Sequence, residues 1–215
     1  MKNRYWFKLV MLLILSIIVL IGCSDAASEG EGSNTDAEDA EAQETAVKEG
    51  KDLTIAVAAN FISLDPHDTN DTLSYSAEKT MLEGLVGFDK DMNVVPVLAK
   101  DYSVNDDATE FTFELEEGVT FHDGAPFNAE AVKVNLDRLT APDSTLIRSS
   151  LFELIEETEV VDEFTVKVKL SEPFGAMINT FAHPAGMLIS PQALEEYGDD
   201  VSQNPVGTGP YVFEE

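Results

Sequence analysis

The sequence predicts a mixed α/β fold, and three stretches carry that expectation. Phe111, Phe113 and Leu115 alternate with Thr112, Glu114 and Glu116, the period of a strand with one buried face. Phe164, Val166, Val168 and Leu170 alternate with Thr165, Lys167 and Lys169, and Asp162-Glu163 joins them to Glu159–Val161 as a hairpin. Between these strands Asn128 precedes a run in which Val132, Leu136 and Leu139 share one helical face. The Asn128 side chain can cap that helix, predicted from Ala129 to about Leu139. Glu130 in its first turn and Arg138 in its last suit the helix dipole, and Ala141-Pro142 ends it.

The N-terminus has a different character. Lys2, Arg4 and Lys8 precede an apolar run, Leu9–Ile21, broken only by Ser16, which is the layout of a secretory signal and short for a mature membrane span. The one cysteine excludes an internal disulfide framework and a cysteine-based zinc site. Leu20-Ile21-Gly22-Cys23 resembles a bacterial lipoprotein processing box. That resemblance implies a lipid-anchored Cys23 and loss of residues 1–22 as signal peptide. Residues 23–50 are rich in Ala, Glu, Asp, Gly, Ser and Thr and cannot bury enough apolar surface to offset chain entropy, so they are expected to be a disordered acidic tether.

Across 215 residues the formal net charge is -28, which makes phosphate-backbone binding improbable and suits a soluble surface. Leu53–Ala58 reads as a strand and Ala59–Asp71 as a long loop. A helix is expected from Asp71 or Thr72, with Leu73, Ala77, Met81 and Leu85 on one face. Leu85–Phe88 is a short strand, and Val94–Leu98 an edge segment because it contains Pro96. Tyr102 and Val104 should pair with the Phe111 strand across Asn105–Ala108. Val119 and Phe121 form a second short alternation before the His122–Pro126 turn. Further on, Leu146–Glu157 reads as a weak helix, Phe174–Phe181 as a short helix and Met187–Ile189 as a strand. Ser190, Pro191 and Gly198 punctuate another short helix, and Tyr211–Phe213 reads as a strand after the Gly207–Pro210 loop. The chain would then stop inside a strand, and is expected to be the front portion of a longer protein.

No residue set supports chemistry. His67, His122 and His183 lie beside carboxylates or proline without a nucleophile and at no metal-ligand spacing, so they read as turn residues. Gly207-Thr208-Gly209-Pro210 lacks a lysine, and Pro210 removes an amide a phosphate cradle would need. The expectation is therefore no catalysis, no metal site and no cofactor. A secreted hydrolase would require a nucleophile or paired carboxylates in recognisable context.

Taken together, Glu83-Gly84-Leu85-Val86, Phe111–Leu115 with Gly118–Gly124, Phe127–Val132 and Pro205–Tyr211 resemble the family 5 solute-binding proteins of bacterial ABC importers. Glu116 and Glu117 depart from the basic residue usual there. Asn60-Phe61, Asn70–Ser74 and Ala182–Ala185 are most similar to the glutathione-binding branch. The resemblance implies a two-lobed α/β fold of the periplasmic-binding-protein type, peptide-binding cluster, with only the first lobe in this chain and the second absent. Residues 53–92 and 206–215 would form the main part of that lobe, and 93–205 an inserted subdomain.

The same resemblance implies an extracytoplasmic binding protein, held on the outer face of the cytoplasmic membrane or its periplasmic side. It would deliver glutathione or short peptides to permease and ATPase subunits. It nominates Asn60, Phe61, Asn70, Thr72, Ser74, His183, Pro184 and Met187 as ligand-lining, and predicts poor binding by one lobe alone. A nickel-chelate carrier of the same family, or an adhesin or signalling ectodomain on the same fold, are the alternatives.

Overall fold

The computed structural model describes residues 54–214, so the expected signal segment, Cys23 and the expected acidic tether lie outside the described residues. From Ile55 onward the chain forms one compact unit. It opens with a loop and helix α1 (Thr72–Met81), whose cap Asp71 accepts from the Ser74 amide at 2.7 Å. Strands β1 (Val86–Phe88) and β2 (Val94–Pro96) make an antiparallel hairpin. The expected division at Met92/Asn93 falls in the turn of that hairpin, where Val86 pairs with Pro96 and Phe88 with Val94.

The body is a four-stranded antiparallel sheet, β3 (Ala99–Val104), β4 (Glu110–Leu115), β5 (Ile155–Asp162) and β6 (Thr165–Leu170), in the order β3-β4-β6-β5. Phe113 opposes Val166 and Phe111 opposes Val168, so these side chains share one face, and all four are fully buried. Helix α2 (Ala129–Thr140) belongs to the same core through Val132, Leu136 and Leu139. The short α3 (Met177–Ala182) adds Phe181, which meets Phe113 edge-on at 5.0 Å between ring centroids and lies 6.1 Å from both Phe111 and Phe152. Helix α4 (Pro191–Tyr197) closes the described fold, capped by Ser190 and ended by Gly198 at φ 55.

The cap of α2 is as the sequence predicts, with Asn128 Oδ1 accepting from the Ala131 amide at 3.1 Å. Asn128→Ala should therefore lower stability by about 1 kcal/mol in urea denaturation, leaving the sheet intact.

Five expectations are corrected. Residues 54–58 are exposed and unpaired among the described residues, with Ile55 70% exposed: their apolar alternation has no partner strand here. Tyr211–Phe213 is likewise not a strand. Tyr211 instead donates its amide to the Thr80 carbonyl at the end of α1. Leu146–Glu157 is not a helix beyond a single 3-10 turn at Ser149–Leu151, because Ile155 is already paired with Leu170 at the start of β5. Met187–Ile189 makes only an isolated bridge from Met187 to Gly84, since the Ile189 amide and carbonyl are both taken by the buried Asn135 side chain of α2. The hairpin turn between β5 and β6 is Glu163-Phe164, one residue later than expected. No helix among the described residues is long and apolar enough to cross a membrane.

Candidate functional site

The buried face of α1 is not the apolar one expected. Ser74, Glu78 and Met81 are buried while Leu73 and Ala77 are only partly so, because polar contacts orient the helix. Ser74 Oγ accepts from the amides of Ile62 at 3.1 Å and Ser63 at 3.4 Å, which pins the loop to the first turn of α1. Asn60 and Phe61 precede that pin and face solvent, Phe61 being 45% exposed. Asn70 and Thr72 are exposed at the start of the helix.

Beneath the loop lies a buried polar cluster that sequence reasoning missed. Arg138 of α2 grips Asp65 with both terminal nitrogens, at 2.6 and 3.1 Å, and its Nη1 also donates to His67 Nδ1 at 2.8 Å. An accepting Nδ1 leaves the proton on Nε2, which donates to the Met187 carbonyl at 3.0 Å. Burial, together with the Arg138 charge and against the pull of Asp65, drops the His67 pKa to about 4, so the ring is neutral. Burial would raise the Asp65 carboxyl, but the Arg138 hydrogen bond and charge, together with the His67 backbone amide, outweigh it and hold it below its ordinary value. His67 lies in a turn and Arg138 in the last turn of α2, as expected, and the two are in addition joined in one cluster. Asp and His near each other in a loop were the visible signal; their partner 73 residues along the chain was not.

The remaining nominated residues divide by exposure. Met187 is buried beside Leu64, Met81 and Leu82, and Ser74 is buried with its hydroxyl engaged, so both hold the loop in place rather than present free groups. His183 and Pro184 are half-buried, and the His183 ring meets Tyr75 of α1 edge-on at 5.7 Å. The structure therefore brings α1 together with the Asn60–Ser63 loop on one side and with His183 on the other. His122 anchors the Gly207–Gly209 loop by bonding its ring to the Gly207 amide and the Gly209 carbonyl. A Cβ on Gly207 would lie 2.2 Å from the Met81 carbonyl oxygen, so close backbone approach explains this glycine. A shallow concavity of about 510 Å3 between α2 and α4, lined by Val134, Arg138, Leu194 and Glu195 among others, includes none of the nominated residues.

The profile of the bacterial extracellular solute-binding proteins, family 5 Middle, matches residues 93–215. The glutathione-binding protein GsiB of Salmonella typhi is 56% identical over 164 residues, which is 76% of this chain and 32% of that protein. The chain spans about a third of the length of such curated relatives. Among solved structures, the PBP AgaA from A. tumefaciens R10 in complex with agropinic acid is 34% identical with a TM-score of 0.68, over 73% of this chain and 32% of AgaA. NikZ from Campylobacter jejuni in complex with Ni(L-His) is 28% identical with a TM-score of 0.64, over 73% of this chain and 31% of NikZ. These relatives are binding proteins rather than enzymes, and their shared fold accounts for the α/β architecture seen here. The chain belongs to the bacterial extracellular solute-binding proteins of family 5.

Proposed function

We propose that this chain is the first-lobe portion of an extracytoplasmic lipoprotein that captures glutathione or a short peptide and delivers it to the permease and ATPase subunits of an ABC importer. The observation that carries the reading is the solvent-facing Asn60-Phe61 loop, fixed at its base by Ser74 and set beside the start of α1, in a chain 56% identical to proteins named for glutathione binding. Amide and hydroxyl groups of Asn60, Asn70 and Thr72 can meet a peptide backbone, while Phe61 offers apolar surface to its side chains. Ser74 and Met187 position that surface; His183 and Pro184 border it. Lipid attachment at Cys23 and a tether over residues 23–50 would keep the folded unit at the membrane surface.

Within the lobe, residues 53–92 and 206–215 would form the main part and 93–205 the inserted part. Titration calorimetry with reduced glutathione, oxidised glutathione and a mixture of unrelated tripeptides tests the ligand class. Heat with glutathione or the tripeptides supports it. Heat only with nickel–histidine complexes would move the assignment to the chelate carriers, as the NikZ complex suggests.

A further inference from the structure

Every lysine and arginine among the described residues pairs with a carboxylate except Lys79 and Arg148. In a chain with a net charge of -28 these two cations are conspicuous, and they lie at one corner. Tyr75 is its centre. The Arg148 guanidinium carbon stands 5.5 Å from the Tyr75 ring centroid, and the His183 ring meets Tyr75 edge-on at 5.7 Å. Lys79 follows Tyr75 by one turn of α1, on the same face. Burial, then the positive charges of Arg148 and Lys79, hold the His183 imidazole below its ordinary value, so both cations act on that ring.

The guanidinium is fixed in place. Arg148 Nε donates to the Thr69 carbonyl and to the Tyr75 hydroxyl, each at 2.7 Å, while its two terminal nitrogens have no hydrogen-bond partner among the described residues. A guanidinium held by its Nε with both terminal nitrogens open is prepared for a bidentate carboxylate. The Glu78 carboxyl, one residue before Lys79, supplies no counter-charge at neutral pH, because burial pushes its pKa up to about 8.

We propose that Arg148 and Lys79, arranged around Tyr75 and His183, form a corner that takes a carboxylate of the captured solute. This rests on the small-solute reading above and deepens it by naming the anionic end of the ligand. Neutral His183, whose Nδ1 accepts from the Ala185 amide at 3.0 Å, carries its proton on Nε2 and can donate one further hydrogen bond there, and Lys79 adds a flexible second charge.

The test is an NMR titration of the 15N-labelled chain with succinate, glutathione and glutathione dimethyl ester, in wild type, Lys79→Gln and Arg148→Gln. Succinate and glutathione are expected to shift Tyr75, Arg148 and His183 saturably, with glutathione at least tenfold tighter than its ester. Lys79→Gln, at an exposed position that leaves folding undisturbed, should weaken glutathione several-fold and leave the ester unchanged. Arg148→Gln, if folded, should erase the difference between acid and ester. Equal affinity for acid and ester, or unchanged glutathione binding in Lys79→Gln, overturns the corner while leaving solute capture standing. A saturable succinate response at the corner without any glutathione response supports the corner and removes glutathione as the solute. Silence towards both succinate and glutathione at millimolar concentration, where even the weak binding expected of one lobe registers, overturns the corner outright.

Discussion

Arg138→Ala is expected to destabilise the folded unit by roughly 3–5 kcal/mol, read as a lower urea midpoint at pH 7. The cost comes from what the substitution leaves behind. Asp65 has a side chain only 3% exposed, and Arg138 supplies two of its three hydrogen bonds and its counter-charge, the third bond coming from the His67 amide at 2.9 Å. Without the guanidinium a carboxylate would sit in the interior with its charge uncompensated, and His67 Nδ1 would lose its donor as well. Arg138→Lys should recover little, since an ammonium cannot span both Asp65 oxygens and His67 Nδ1 together.

The pH dependence has a defined sign. In wild type the Asp65 pKa lies below its unfolded value of 3.8, so the pair's stabilisation is present above that pH and lost as pH falls through the folded value. In Arg138→Ala the burial that raises the Asp65 pKa is no longer outweighed by the guanidinium, only partly offset by the His67 amide, so the deficit should be greatest near neutrality and shrink towards pH 4. A deficit below 1 kcal/mol at pH 7 would mean that Arg138 does not hold this cluster together.

The same cluster explains what the sequence did and did not disclose. Strands β4 and β6 and helices α2 and α4 were legible because their signals are local: a period of two on Phe111–Leu115 and Val166–Leu170, a cap at Asn128, a cap and proline at Ser190-Pro191. Contacts between distant segments leave no such period. Asn135 holds both backbone groups of Ile189, 54 residues along the chain, and so prevents Met187–Ile189 from becoming a strand. Alternation at residues 54–58 is equally visible, but a strand exists only with a partner, and periodicity does not name one.

For the candidate site, the position of α1 was legible from Asp71, whereas its rotation was not. Counting apolar residues placed Leu73 and Ala77 inward; hydrogen bonds from Ile62 and Ser63 to Ser74 turned the polar side in instead. Arg148 lay in a segment read as a weak helix, so its approach to Tyr75 depended on a fold that local propensity misjudged.

That rotation has its largest consequence at Glu78, where Glu78→Gln is expected to stabilise the protein at pH 8. Glu78 is fully buried, and neither carboxyl oxygen has a hydrogen-bond partner among the described residues. Burial, then the negative charges of Asp65 and Asp71, raises its pKa from 4.5 to about 8. For an acid whose folded pKa is raised, the folded state binds more protons than the unfolded one between those two values, so stability falls as pH rises from about 4.5 to about 8. His67 works in the opposite sense: its pKa falls from 6.5 to about 4, so it makes stability rise between about pH 4 and 6.5.

Where the two windows overlap the slopes cancel, and above pH 6.5 only the Glu78 slope remains. Wild type should therefore lose about 2 kcal/mol between pH 6.5 and 8, at 1.4 kcal/mol per pH unit for one proton. Glu78→Gln, neutral at every pH and of the same shape, should be flat across that interval and gain stability from pH 4 to 6.5 through His67, with His183 adding in the same sense. Urea midpoints at pH 5, 6.5 and 8 distinguish the cases. If the variant retains the wild-type decline above pH 6.5, the proton lost there belongs to another group, and the buried face of α1 does not carry a protonated carboxyl at neutral pH.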